Sequence, residues 1–573
     1  MWIKFGVCNP SNTGMKPSDE IQVQNLDHLG LVAGIIDEMG LVEQINQLVG
    51  QQPGEIVSPG HVVKAMILNG LGFVSSPLYL FSKFFEGKAT EHLIGVGVQP
   101  DHLNDDRLGR VMDKLYLSGL SQIFTIVALA AAKKYSISTE RVHLDSTSFH
   151  VHGKYEYNLP KVSLITGELN LNDPKWSDLE ETFVSNPIEI THGYSRDHRP
   201  DLKQFILDLI CTGDGDVPLF LRVADGNETD KAVFAQILCD FRQQLTLDTL
   251  MVADSALYSA PNLVLMRELK WLCRVPLTVK QAKEILGELT EEEFVKSGLE
   301  GYSLAERTSN YGGIEQRWLV VESQARRQAN RRRLEQKLDK AELEANKKLQ
   351  KLCSQKFDAP QEAIQAAEQF NQKLKYHNLT GIQAIELLTN QPKNASYKAN
   401  QSENNTYRIQ AKLVRDQSVI ETETRRASRF VLATNVIESA ELSNDEMLSE
   451  YKGQQSAERG FGFLKDPLFF TDSVFLKSPE RVEALAMLMG LCLLVYTLAQ
   501  RQLRQALHQA QSGIKNQLGK LTERPTLRWV FQCFQSVHVL LVNGVKQISN
   551  LTAERLWILR FFPESCRRYY LLL

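Results

Sequence analysis

The segment Tyr451-Lys-Gly-Gln454-Gln-Ser-Ala-Glu458-Arg-Gly-Phe-Gly-Phe-Leu-Lys465 carries a phenol, an amide, a carboxylate and an ammonium at helix-compatible intervals. At about 100° per residue, Tyr451, Gln454, Glu458 and Lys465 fall at about 0°, 300°, 340° and 320°. Such a narrow polar stripe makes a poor core face. It suits a site that holds a metal ion and a phosphate, although the solvated face of an ordinary helix carries the same pattern.

Two aspartates upstream each close an apolar run. The runs are Arg141-Val-His-Leu-Asp145-Ser-Thr147 and Thr249-Leu-Met-Val-Ala-Asp254-Ser-Ala-Leu-Tyr258. Short apolar runs read as buried strands of a mixed sheet. Ligands of open α/β sheets sit at the carboxyl ends of strands. Either aspartate alone fits a helix cap or turn better than a site. With Glu458 they give the order Asp, Asp, Glu.

The elements that must position these acids follow from pattern. Residues 201–212 and 217–224 read as strands joined by the turn Gly213-Asp214-Gly215-Asp216, and with the 141–149 run they predict a three-stranded antiparallel meander. Residues 230–245 have helical spacing, the Asp254 strand follows, 261–269 is helical and 270–275 is a short strand. Strand, strand, strand, helix, strand, helix, strand is the order of an RNase H-like fold.

The 451–465 spacing resembles the Tyr-x2-Arg-x3-Glu-x6-Lys motif of DDE insertion-sequence transposases of the IS-four superfamily, with Gln454 at the Arg position. Phe430-Val-Leu-Ala-Thr-Asn435 and Arg524-Pro-Thr-Leu-Arg-Trp529 are similar to the IS-sixteen-thirty-four branch. The resemblance implies an α/β chain with an RNase H-like catalytic core, a helical N-terminal domain and an inserted α+β lobe. The expected domains are 1–138 (helical, end-binding or scaffold), 139–277 (first part of the core), 278–427 (insertion), 428–505 (second part, with the Glu helix) and 506–573 (helical C-terminal region).

By the same resemblance Asp145, Asp254 and Glu458 are catalytic and ligate two Mg2+ ions, with Mn2+ as substitute. Asp145 is the expected bridging ligand. Tyr451, Gln454 and Lys465 are expected to contact phosphate. A neutral Gln454 cannot copy a bidentate guanidinium fork; Arg459, about 100° away from the stripe, is a further candidate DNA contact. The implied activity is cleavage of the ends of an insertion sequence and joining of the 3′ hydroxyls to target DNA. The partners are double-stranded DNA, both terminal inverted repeats and target, and a second protomer in the DNA complex. Alternatives are an RNase H-fold nuclease without strand transfer and a non-catalytic DNA-binding derivative.

Composition bounds this reading. The 573 residues are 43% hydrophobic, enough for a sizeable core. The net charge of −3 argues mildly against nucleic acid binding, so charge distribution matters more than the total. Arg326, Arg327, Arg331, Arg332 and Arg333 cluster within eight residues at the start of a charged helix expected at 324–355, and are candidate DNA contacts. The eight cysteines form no Cys-x-x-Cys pair, which argues against zinc modules and disulfide frameworks and fits a reducing cytoplasm; association with the nucleoid is what the transposase resemblance implies. Ala484–Ala499 is too short at about sixteen residues to span a bilayer and reads as a buried core helix.

Further readings concern single segments. His150, His152 and His192 fall in polar loops. Trp271 and Trp318 suit either the core or stacking on an extruded base. Residues 225–230 read as a turn and helix cap. Within the insertion, 286–296 and a stretch ending near Leu388 read as helices, 392–405 as a polar loop, and 316–322, 407–414 and 418–424 as strands. Helices are expected at 41–49, 61–80 and 108–117, the last capped by Asn104-Asp-Asp106. Apolar residues in 529–542 and 556–562 serve either the core or a dimer surface.

Overall fold

A computed structural model describes residues 21–73, 76–153, 155, 187–194, 199–244, 248–387, 406–467, 476 and 478–572. It divides into two units, Met1–Val252 with Gly453–Leu573, and Ala253–Lys452.

The first unit opens with strand β1 (Ile21–Asn25), followed by the helices Leu29–Met39, Leu41–Val49 and Pro59–Gly70. The helix expected to reach residue 80 ends at Gly70. There the Asn69 side chain closes the following loop, accepting from Ser76 N–H and donating to Ser76 O. Asn104 accepts from Arg107 N–H and starts Asp105–Leu117, as its short polar side chain predicts.

Strand β2 (Arg141–Val151) pairs antiparallel with β3 (Lys203–Thr212), and β3 with β4 (Pro218–Ala224). The turn between β3 and β4 places Gly215 at φ +86°, a conformation glycine adopts without penalty. Helix Asp230–Gln244 leads to β5 (Leu250–Ala253). The order β4-β3-β2-β5 is third, second, first, fourth, the arrangement of an RNase H-like sheet. Leu250 N–H donates to Glu140 O at 2.8 Å, so β2 and β5 set off from the same end.

The second unit contains β6 (Lys270–Arg274), β7 (Val295–Lys296), β8 (Tyr302–Tyr311) and β9 (Ile314–Ser323). Helix Gln324–Ser354 matches the expected charged helix. Helix Pro360–Gln372, β10 (His377–Leu387), β11 (Thr406–Arg415), helix Gln417–Ser428 and β12 (Arg429–Thr434) follow. Strand order is β6-β12-β9-β8-β7, with β10 and β11 forming a separate ribbon. Leu349, Ala363, Ala367, Leu379 and Ile409 bury a small core between that ribbon and its helices.

Three expectations fail in this unit. The helix read at 286–296 lies at Lys280–Glu288, and Thr290 and Glu293 then cap a short 3-10 turn reciprocally. The stretch ending near Leu388 finishes as strand β10, because cross-strand pairing with β11 outweighs its helical spacing. Residues 418–424 are helical because Asp416 accepts from the N–H groups of Ser418 and Val419, an N-cap that the alternation concealed. The polar loop 392–405 lies outside the described residues.

The chain then returns to the first unit. Helix Pro479–Gln509 extends beyond the expected sixteen residues. Among the described residues it is the one unbroken helix long and apolar enough to cross a membrane, yet 78% of its most apolar window is buried in the protein. Strands β13 (Ile514–Lys515), β14 (Leu521–Thr522), β15 (His538–Val542) and β16 (Val545–Ser549) follow, with helices Leu527–Cys533, Ala553–Leu559 and Glu564–Leu571. Strand β15 pairs with both β1 and β16. A Cβ on Gly34 would lie 2.4 Å from Cys566 Cα, so the first and last helices pack at glycine distance. Val530, Phe531, Phe534, Ile558, Leu559 and Phe562 are buried, and this tail largely covers the core.

Candidate active site

Asp145 is the fifth residue of β2, half-buried, with Oδ1 accepting from Ser146 N–H at 2.9 Å. Asp254 directly follows β5 and is half-buried, its Oδ1 accepting from Ala256 N–H at 2.7 Å in a tight turn. The local turn reading of Asp254 is therefore realised.

The 451–465 segment is not one helix. It breaks at Gln454 between helices Asn444–Gly453 and Gln455–Leu464. Ser456 Oγ donates to Gly453 O, so a side chain takes up a carbonyl at the break. Tyr451 thus belongs to the second unit, and Gln454, Glu458 and Lys465 to the first.

Helix Gln455–Leu464 lies across β2 and β3. A Cβ on Gly453, just before it, would lie 3.1 Å from His143. At its other end Lys465 Nζ stands 5.5 Å from the Phe149 ring centre. His143 and Phe149 flank Asp145 along β2, so the helix traverses the strand that carries the first aspartate. Glu458 is exposed on this helix. Gln454 is its half-buried N-cap residue, without a side-chain cap bond. Arg459 forms a two-bond fork with Asp216, at 2.7 and 2.6 Å.

In the second unit Tyr451, Arg274, Arg326 and Asp254 form one electrostatic group. Burial pushes the Tyr451 phenol above its ordinary range, while Arg274, its hydrogen-bond partner, opposes that shift. The Phe430 ring centre lies 5.6 Å from the Arg274 guanidinium, 4.7 Å from Arg326 and 6.0 Å from Tyr451. Among the described residues neither arginine has a carboxylate partner. Lys452 lies 4.6 Å from the Tyr302 ring centre.

The family comparison decides the class. A profile described as transposase DDE domain matches residues 138–496. The chain belongs to the transposase DDE domain family. A domain of unknown function (DUF4277) matches residues 21–129. No curated protein matches. Among solved structures, a piggyBac transposase in a synaptic complex with hairpin DNA aligns over 90% of this chain and 83% of its own, at 8% identity and a TM-score of 0.37.

Other residues of this transposase fall outside the candidate group. Trp271 and Trp318 are fully buried, so they are core and not stacking platforms. The Trp318 indole donates to Tyr258 Oη and Gln316 Oε1. His152 and His192 are exposed and His150 is half-buried. Of the five clustered arginines, Arg327 pairs with Glu291 and Arg331 with Glu335. Arg332 and Arg333 are exposed, and Arg326 turns to Phe430.

Sequence reasoning missed two residues near the acids. His143 sits two places before Asp145 on the same face of β2, fully buried, and neither ring nitrogen has a hydrogen-bond partner among the described residues. Burial pushes it down to about 4, so it is neutral at pH 7. Arg274 ends an apolar strand, and only its position at a strand end marked it.

Carboxylate oxygens are the hard donors that Mg2+ takes. Among the described residues no three His, Cys, Asp or Glu side chains are gathered as a ready-made ion site. The donor types of Asp145, Asp254 and Glu458 fit the ion.

Proposed function

We propose that the chain is an insertion-sequence transposase of the Tyr-Arg-Glu-Lys class, close to the IS-sixteen-thirty-four branch, which cleaves its element's ends and joins the 3′ hydroxyls to target DNA. What carries the reading is the match of the transposase DDE domain across 138–496, with Asp145 on the first strand of the RNase H-like order and the Glu458 helix laid across that strand. Asp145, Asp254 and Glu458 are the proposed catalytic acids and metal ligands. Divalent ions, when bound, supply charge neutralisation at the scissile phosphate.

The chain's own groups hold the DNA. Lys465 is a point charge for a backbone phosphate. Tyr451 offers a hydroxyl, oriented by Arg274. Arg274, held against Phe430 and hydrogen-bonded to Tyr451, is in this reading a guanidinium fork for phosphate. Two element ends must be cut and joined together, so the working complex holds two protomers and two ends. The transposase would act in the cytoplasm, at the nucleoid.

Incubating the protein with the DNA flanking its gene and Mg2+ tests this. Nicks at the element boundary followed by joined products support transposition. Nicks without joining leave the nuclease reading. No cleavage in Mg2+ or Mn2+ overturns both.

A further inference from the structure

The first unit contains a cleft of about 620 Å³ that the proposed catalytic groups do not occupy. One wall is the Glu458 helix, with Arg459, Gly462 and Phe463. The other comes from helix Pro479–Gln509 and the segment after it, with Tyr496, Arg504, Arg524 and Arg528. Four guanidiniums and two carboxylates line it, and the carboxylates are already taken. Asp216 is held by Arg459, and Asp466 accepts from Arg528 at 2.9 Å.

Arg504 and Arg524 have no carboxylate partner among the described residues. The Arg504 Nε donates to Pro525 O at 3.1 Å, which leaves its outer nitrogens uncommitted. Arg504 is held below the ordinary arginine range, first by burial and then by repulsion from Arg524. The carboxylate in electrostatic range of Arg504 is Asp216, which Arg459 already holds, so Arg504 and Arg524 keep positive charge that an arriving anion would offset. Beside them the Phe463 and Tyr496 rings lie 4.6 Å apart at 38° and form an apolar wall.

We propose that this cleft binds one phosphodiester of a DNA strand, with Arg504 and Arg524 taking the phosphate and the Phe463–Tyr496 wall taking the attached sugar and base. The inference rests on the transposase reading and deepens it by naming a binding subsite. Arginine forks suit phosphate oxygens, and aromatic faces suit any base. The volume admits a nucleotide and excludes a duplex.

The test is fluorescence anisotropy of the full chain with a labelled duplex carrying a single-stranded overhang, in EDTA, across a salt series. Arg524 is exposed, so Arg524→Ala removes charge without opening the core. The expected result is a salt slope shallower by about one and at least roughly fivefold weaker binding at 0.1 M salt. Arg504→Lys keeps the charge and loses the fork, and should weaken binding with an unchanged slope. Phe463→Leu should weaken binding of a single-stranded oligonucleotide by roughly tenfold. The control is Arg267→Ala, an exposed arginine elsewhere, expected to change nothing. A wild-type slope for Arg524→Ala, or an equal drop for Arg267→Ala, overturns the cleft. Competition by a free mononucleotide at micromolar concentration would also overturn it, in favour of a small-molecule site. Failure of the wild-type protein to bind DNA would overturn the transposase reading as well.

Discussion

Two sets of arginines behave in opposite ways. Arg326 to Arg333 are neighbours in sequence, yet on helix Gln324–Ser354 they disperse. One lies on Phe430, two are tied to glutamates and two face solvent. Arg459, Arg504, Arg524 and Arg528 are spread over 70 positions and line a single cleft. A helix rotates successive side chains by about 100°, so a run of like charges spreads over its surface. Packing of separate elements is what converges charge. A charge run in sequence is therefore weaker ground for a binding site than charges that the fold brings to one cleft, where Arg459 and Arg528 have carboxylate partners and Arg504 and Arg524 have none among the described residues.

The largest expected effect separates chemistry from grip. Asp145→Asn or Glu458→Gln should lower the cleavage rate by at least about a thousandfold, some 4 kcal/mol. Affinity for end DNA in EDTA should stay within about twofold. Cleavage at the wild-type rate by either variant would remove these residues from the mechanism.

Arg274→Ala should slow cleavage by about ten- to a hundredfold, with Arg274→Lys recovering only part because a point charge lacks the fork. Full recovery by lysine would show that charge alone matters there.

The comparison between the two arginine sets is tested directly by salt dependence. The double change Arg332→Ala with Arg333→Ala should shift the slope less than Arg524→Ala alone, although it removes twice the charge. The reverse order would break the comparison and return DNA binding to the sequence cluster.

The smallest effect concerns a carboxyl on the core helix. Burial, with Glu480 and Asp225 nearby, pushes Glu483 up to about 8, opposed by the Ile188 N–H it accepts. The folded state therefore holds a proton on Glu483 that the unfolded chain releases near its ordinary value of 4.5. Stability on this account falls as pH rises from 4.5 through about 8. Glu483→Gln keeps the acceptor and should reduce the loss of Tm between about pH 5 and pH 9. An unchanged pH profile would show that solvent already reaches the carboxyl.

Much of the fold was legible in the sequence. The meander, its Gly-Asp turn, the helix before β5, the Asn104 cap and the buried nature of the 484–499 stretch all follow from local rules. Periodicity, turn chemistry and capping act within a few residues, and these segments obey them. The transposase DDE family was legible as a resemblance in the 451–465 spacing and the strand order, before any geometry. Two of the misread segments, the stretch ending near Leu388 and 418–424, are those where pairing with another strand or a single cap residue overruled the local pattern.

Other features required the tertiary structure. The break at Gln454 divides a stripe that is continuous on a helical wheel, because a wheel assumes an unbroken helix. Gly34 is set by Cys566, more than 500 residues away, and β1 is paired by β15 near the other end of the chain. The burial of His143 and the placing of Arg274 against Phe430 have no local signature. Sequence alone determined which residue types are available and which short elements they form. Contacts between residues far apart in the chain decided which charges meet and which are neutralised, because those contacts depend on packing of whole elements and on no local periodicity.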